Sequence, residues 1–274
     1  MFESVAIGAR THGDSVSGAL RTQVGQLARR SVLRTLRQPA QIVPALIFPL
    51  FLLAVNAGGL KDATNLPGFP TDSYITFAVA ITFMQGALFS VMNTGTDLAR
   101  DIETGFLNRM ALTPLRGAAL LSGLLAGSFV LGLLQAVAFL TAGLAGGAEI
   151  AAGVGGAAMI VLLAVSITVA FGTIGLFAAL RTGSGEAVQG LFPVFFVFLF
   201  LSSMALPLDL IETDWFHTVA SINPVTYLLE AFRSLLIEGW EPGHLLLGFG
   251  IAAAIFAIGM TLAARSLKTR LVRT

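Results

Sequence analysis

Six long stretches of this chain contain no charged residue, and threading them back and forth across a membrane puts fourteen of the sixteen Lys and Arg residues on one side. The stretches are Ile42–Leu60, Ser73–Thr96, Gly117–Ala148, Ile150–Leu180, Ala187–Leu208 and Leu245–Ala264. A helix needs about 20 mostly apolar residues to cross a hydrocarbon core of about 30 Å. Each run satisfies that length, and soluble core helices do not stay uncharged for so long six times in succession. The chain therefore reads as an all-α polytopic membrane protein, with spans at about 42–60, 73–96, 118–145, 151–180, 187–208 and 245–264.

Orientation follows from the segments between spans. With the amino terminus inside, segments 1–41, 97–116, 181–186 and 265–274 hold fourteen cations, whereas the outside segments keep only Lys61 and Arg233 beside nine carboxylates. The excess of Lys and Arg on cytoplasmic loops selects both termini in the cytosol. About forty mostly polar residues precede the first apolar run, so no secretory leader is expected. Arg outnumbers Lys fourteen to two beside abundant Ala and Gly, which points to a GC-rich bacterial genome and a bacterial plasma membrane.

Residues 1–19 read as a disordered tail, and 20–274 as one transmembrane domain with no second domain and no repeat of fixed period. Residues 20–38 read as an interfacial helix, with Leu20, Val24, Ala28, Val32 and Leu36 in one row and Arg30, Arg34 and Arg37 on another face toward lipid phosphates. Pro39 ends that helix. Small residues at four-residue spacing, Gly123/Gly127 and Gly143/Gly147, allow close helix approach. The outer segment 209–243 is too polar to span, yet Val225, Leu228, Leu229, Phe232, Leu235 and Leu236 follow helical spacing. It reads as one or two helices lying at, or re-entering, the outer leaflet. Within it Asn223 caps a helix begun by Pro224, and Glu230 and Arg233 stand close enough to pair.

Several chemistries lack their residues. The spans hold no Asp, Glu, Lys, Arg or His, which disfavours a proton- or ion-coupled carrier. Absence of cysteine removes thiolate metal sites and Cys nucleophiles, and three scattered histidines supply no shared metal. No G-x-x-x-x-G-K-[ST] loop is present, so the chain is expected to bind no nucleotide of its own. Nothing in the sequence indicates a nucleic-acid partner.

The inner loop 97–116 places carboxylates first and arginines later, which complements the dipole of a short helix from about Thr104 to Leu112. This loop, with its Glu103-Thr-Gly105-x-Leu107 and Thr113-Pro-Leu elements, resembles the coupling-helix loop of ABC transporter type 2 permeases. The outer Asn223-Pro224-Val225-Thr226-Tyr227-x-x-Glu230-Ala231-x-Arg233 resembles the signature that precedes the last span in the same superfamily. The resemblance covers roughly residues 20–270 and is nearest to the daunorubicin-resistance type of drug-export permease.

That resemblance implies a permease subunit without its own ATPase site. It works beside a second permease chain, as a homodimer or heterodimer, above cytosolic ATP-binding-cassette ATPase subunits that hold ATP and Mg. It implies that Glu103, Gly105, Phe106, Leu107 and Arg109 couple to the ATPase, helped by Arg30 and Arg34, and that Asn223, Pro224, Tyr227, Glu230 and Arg233 form an outer gate helix. Asn56, Phe89, Phe192 and Phe196 would border the substrate path. An uncharged, Phe-rich path suits a lipophilic or amphipathic drug, antibiotic or lipid arriving from the surrounding membrane lipids. Export of a lipid-linked glycan and a non-pumping immunity or assembly role remain the alternatives.

Overall fold

A computed structural model describes residues 22–111 and 117–272. The tail expected at 1–19 and the helix start expected at Thr113–Pro114 lie outside the described residues. Among the described residues the regular structure is helical throughout. The helices are α1 (22–36), α2 (Pro39–Gly59), α3 (Tyr74–Glu103), α4 (Phe106–Ala111), α5 (Gly117–Ala145) and α6 (Gly153–Thr182). They continue with α7 (Gly185–Gln189), α8 (Phe192–Phe200), α9 (Asp214–Ile222), α10 (Pro224–Arg233), a π-helical turn (Ser234–Glu238) and α11 (Pro242–Val272). Five of them, α2, α3, α5, α6 and α11, are long and apolar enough to cross a membrane. One end of the bundle gathers α1, α4, α7 and the arginine-bearing termini of α6 and α11. The opposite, acidic end gathers α9, α10 and the loops that carry most of the remaining carboxylates.

The central element is α3. In its most apolar window 89% of residues are buried, against 17% for α2 and 22% for α11, so the latter two leave broad faces for lipid or partners. It packs against α2, α5, α6, α7, α8 and α10. Its crossing with α6 is a backbone contact. A Cβ added to Gly175 would stand 3.0 Å from the Gly95 nitrogen and closer still to the Val91 carbonyl oxygen, so no side chain fits there.

Proline and glutamine explain how α2 joins the bundle. Pro49 lies inside α2 and has no N–H for the carbonyl of Ala45, four residues earlier. The buried Gln135 of α5 donates its Nε2 to that Ala45 oxygen at 3.2 Å and to the Gly86 oxygen of α3 at 3.3 Å. One side-chain amide thereby satisfies a proline-orphaned carbonyl and ties three helices together.

The uncharged run at 187–208 is not one continuous helix. It divides into α7 and α8 with a turn at Gly190–Leu191, followed by bends over 201–206. Pro193 is the cause: inside an unbroken helix it would strand the Gln189 carbonyl and clash with it, whereas in a first turn its missing N–H costs nothing. Residues 185–200 would reach only about 24 Å even if straight. Two other helices overrun the limits expected for them. Helix α3 continues seven residues past Thr96, and α11 extends to Val272 rather than ending near Ala264. Charged residues do not stop a helix whose charges find partners or water beyond the apolar slab.

Candidate functional site

Helix α1 lies across the basic end on the first turns of α5. A Cβ on Gly123 would stand 2.6 Å from the Leu27 Cβ, and one on Gly127 would stand 2.7 Å from the Ser31 Oγ. The Gly123/Gly127 pair thus forms a shallow seat for α1, and Ser31 Oγ locks it by donating to the Leu124 oxygen at 2.8 Å. This seat turns Arg30 and Arg34 toward α3 and not toward lipid phosphates. Arg30 binds the Asp101 carboxylate through both Nη atoms, at 2.8 and 2.9 Å. Arg34 donates to the same carboxylate at 2.9 Å and places its Nε 3.1 Å from Asp97. Asp101, only 4% exposed, therefore accepts three charge-assisted hydrogen bonds. The Asp101 hydrogen bond raises the Arg30 pKa above its already high ordinary value, so the guanidinium stays charged at every physiological pH.

The same guanidinium carries α4. Arg30 Cζ sits 3.9 Å from the centre of the Phe106 ring, a cation–π contact. Between α3 and α4 the chain reverses at Gly105, whose φ of +68° suits glycine at a helix C′ position. Leu107 is 1% exposed and anchors α4 in an apolar cluster with Leu98, Leu121 and Leu124. Glu103 and Arg109 are exposed. Glu103 Oε1 accepts from the Gly185 nitrogen at 3.2 Å, which links the end of α3 to the start of α7. The expected coupling residues are thus brought together in two layers: Arg30, Phe106 and Leu107 fix the short helix while Arg34 holds α1 to α3, and the exposed Glu103 of α3 and Arg109 of α4 lie at the surface.

At the acidic end the Asn-Pro…Arg pattern clamps the irregular chain that follows α8. Asn223 Oδ1 caps α10 by accepting from the Val225 nitrogen at 3.0 Å, with Pro224 in the first turn. Its Nδ2 donates to the Phe198 and Leu201 oxygens at 2.7 and 2.8 Å, carbonyls left unpaired where α8 ends. Thr226 Oγ1 accepts from the Ser203 nitrogen at 3.3 Å. Arg233, 2% exposed, donates to the Ser203 and Met204 oxygens at 2.8 and 3.0 Å and to Glu230 at 2.9 Å, with its Cζ 3.5 Å from the Phe77 ring centre. Burial pushes the Arg233 pKa down from its ordinary value, and the neighbouring Glu230 carboxylate opposes that shift. Tyr227 donates its hydroxyl to the Ser221 oxygen, which holds α9 against α10.

Of the four residues expected along a substrate path, three meet. Phe89 of α3 contacts Phe192 of α8 at 5.4 Å between ring centres, and Phe192 contacts Phe196 at 4.7 Å. Phe48 of α2 touches both Phe89 and Phe196 at 6.0 Å and so completes the group. Asn56 is half-buried and lies about two turns further along α2, toward the acidic end.

Residues 22–237 match the ABC-2 type transporter family, a stretch that opens on α1 and closes in the π-helical turn, so it contains both clamps. The chain belongs to the ABC-2 type transporter family. It is similar to proteins named "Putative transport permease ycf38". The one from Pyropia yezoensis is 30% identical over 225 residues, covering 80% of this chain and 75% of that protein. The one from Porphyra purpurea is 28% identical over 269 residues, covering 91% and 90%. Another, from Cyanophora paradoxa, is 24% identical over 216 residues, covering 76% and 72%. Family membership and the apolar helices make the chain a multi-pass membrane permease of an ABC transporter, and the family implies pairing with an ATP-binding subunit.

Sequence reasoning overlooked four residues of the permease: Asp97 and Asp101, which receive the α1 arginines, Ser203, which Arg233 grips, and Phe48. For the first pair a signal existed. Arg30/Arg34 and Asp97/Asp101 share one i, i+4 spacing, as two helices must when they join through facing charges. No comparable signal marked Ser203, which meets Thr226, Glu230 and Arg233 through both its backbone and its hydroxyl because of where the chain bends.

Proposed function

We propose that this permease is the membrane subunit of an exporter that moves a lipophilic or amphipathic compound (a drug, antibiotic or lipid) out of the cytoplasm or inner leaflet of a bacterial plasma membrane. A separate subunit hydrolyses the ATP. On this reading the basic end and both termini face the cytosol, and residues 185–206 complete a sixth crossing. A second permease chain, identical or related, packs on the exposed faces of α2 and α8. The Phe48, Phe89, Phe192 and Phe196 group then borders the path between them, with the α9–α10 clamp as its outer gate. Within the family, the drug-export type is the subtype the chain most resembles.

One observation carries the reading. A short helix is pinned from behind by Leu107 and by the Arg30–Phe106 stack, and it presents Arg109 outward at the basic end, beside the exposed Glu103 that ends α3. A pinned helix with a charge on its free side transmits a push from a docked subunit instead of deforming under it. Co-expression with the ATP-binding subunit tests this. Glu103→Lys and Arg109→Glu are expected to abolish permease-stimulated ATPase activity and transport while membrane insertion stays normal. Full stimulation in both variants defeats the coupling role. Export of a lipid-linked glycan is a second reading, favoured by a cavity of about 360 Å³ at the acidic end whose walls set Asp209 and Glu238 beside Tyr227 and His244. Such polar walls suit a hydroxylated headgroup.

A further inference from the structure

Arg30 and Arg34 of α1 are neutralised by Asp97 and Asp101, but a second basic group lies in walls that contain no carboxylate side chain among the described residues. Where the C-terminal turns of α6 and α11 meet, a crevice of about 710 Å³ is lined by Arg181, Arg265 and Arg270, and its floor is made by Phe177 and Leu262. Arg270 already has a structural role: its Nη1 donates to the Leu180 oxygen at 2.9 Å, and its guanidinium covers Gly183, whose φ of +73° ends α6. Arg181 and Arg265 are exposed and flank it from the two helices. The crevice is polar toward the end of the bundle and apolar toward its middle. That gradient matches the boundary between phospholipid headgroups and acyl chains.

We propose that the α6–α11 crevice is a binding site for an anionic phospholipid. The lipid phosphate is received by Arg181 and Arg265 beside Arg270, and the upper acyl chain lies on Phe177 and Leu262. The two exposed cations, in walls that supply no carboxylate among the described residues, create a field that a phosphate neutralises, and clefts that focus one sign of charge concentrate the counter-ion. A crevice of about 710 Å³ falls within the roughly 300–1,000 Å³ typical of small-molecule sites, enough for a phosphate headgroup and the first part of a chain. A bound lipid would stiffen the α6–α11 junction, where Gly259 meets Thr173 so closely that no side chain fits. The assignment holds whatever the permease carries, because it needs only embedding in a membrane.

The test titrates the full-length chain in neutral detergent with soluble dihexanoyl phosphatidylglycerol, dihexanoyl phosphatidylcholine and inorganic phosphate, with bound lipid read by native mass spectrometry. Phosphatidylglycerol is expected to bind with a stoichiometry near one and to outcompete phosphatidylcholine. The double variant Arg181→Gln/Arg265→Gln should weaken it about 25-fold, from a roughly fivefold loss per surface arginine. Arg29→Gln/Arg37→Gln, which removes one exposed arginine of α1 and one of the turn after it, should leave binding unchanged. Equal loss in both double variants reduces the effect to general surface charge and overturns the site. Inorganic phosphate binding as tightly as the lipid overturns the lipid assignment, as does equal affinity for the two lipids. Unchanged phosphatidylglycerol binding in Arg181→Gln/Arg265→Gln is equally fatal.

Discussion

Replacing Asp101 with Asn isolates the contribution of the α1 clamp, since it removes the charge and keeps the shape. Asp101 accepts hydrogen bonds of 2.8, 2.9 and 2.9 Å from Arg30 and Arg34, and bonds to charged groups contribute about 1.5–3 kcal/mol each. The full sum is not lost. The Asn oxygen keeps one acceptor, Arg34 retains Asp97, and the Arg30 side chain is 38% exposed and regains water. Removing one partner of a fully buried pair costs about 3–5 kcal/mol, so a half-open site should lose about 2–3 kcal/mol. The loss falls on the docking of α1 and not on the bundle, because the helix's other hold is its Gly123/Gly127 seat. Hydrogen exchange separates the two. Amides of 24–35 should exchange about 30- to 150-fold faster in Asp101→Asn, at a factor of ten per 1.4 kcal/mol, and amides in the middle of α5 should not change. Phe106, released from the Arg30 face, should make α4 follow α1. Protection in α1 within twofold of the parent protein would refute the argument that this carboxylate holds the helix down.

Four further outcomes follow from the same contacts. Gln135→Leu leaves the Ala45 oxygen unpaired and should lower thermal stability by about 1–2 kcal/mol; adding Pro49→Ala, which restores the backbone donor, should recover most of it, and absence of recovery refutes the pairing. Gly175→Val should prevent monodisperse folding by size-exclusion chromatography, since α3 backbone fills the site, while Gly250→Val, with open space around it, should not. Arg233→Met strands the Ser203 and Met204 oxygens, leaves the partly exposed Glu230 with the Ser203 hydroxyl alone, and should cost about 2–4 kcal/mol in thermal unfolding; parent-like stability would remove the clamp. The chain lacks cysteine, so Arg109→Cys and Asp62→Cys report sidedness cleanly to an impermeant maleimide. The first should label only from the cytosolic face and the second only from the opposite one; any other pattern rejects the proposed orientation.

Charge geography made the long helices legible because it depends on composition alone. An uncharged run longer than about 19 residues has few other fates. The run at 187–208 obeyed the composition rule yet folded as two short helices, because Pro193 acts through one hydrogen bond and one steric contact that a count of charges does not register. Boundaries were misread where charge was taken as a stop. Asp97 and Asp101 sit on the continuing helix α3 because α1 supplies their counter-ions from about seventy residues away. The two clamps were partly legible. Local relations such as the Asn223 cap and the Glu230–Arg233 pair depend on spacing within one helix and can be read directly. The grip of Asn223 and Arg233 on carbonyls of residues 198–204 depends on where an irregular segment bends, and no spacing in the sequence encodes that.

The two clamps share a mechanical element that neither motif reveals alone. Helix α3 presents Asp101 to the α1 arginines at one end and Phe77 to Arg233 at the other, about 36 Å apart along a straight helix. No proline interrupts the stretch between them, and the helix is buried along nearly its whole length. A buried, unbroken helix moves as a rod, because bending it would open voids against α5 and α6 that close packing does not tolerate. At each end a guanidinium lies on a Phe ring of one segment while its hydrogen bonds grip another: α4 and α3 at the basic end, α3 and the 201–206 bend at the acidic end. A displacement imposed on α4 therefore has two continuations, sliding against Arg30 or carrying α3 with it. The burial of Leu107 against Leu98 of α3 opposes sliding, and the Asp101 hydrogen bonds tie Arg30 to α3, so a push on the Phe106 stack is passed to α3. Weakening Asp101 should thus decouple the ends before it unfolds either, whereas weakening Arg233 should free the acidic-end bend and leave α4 in place.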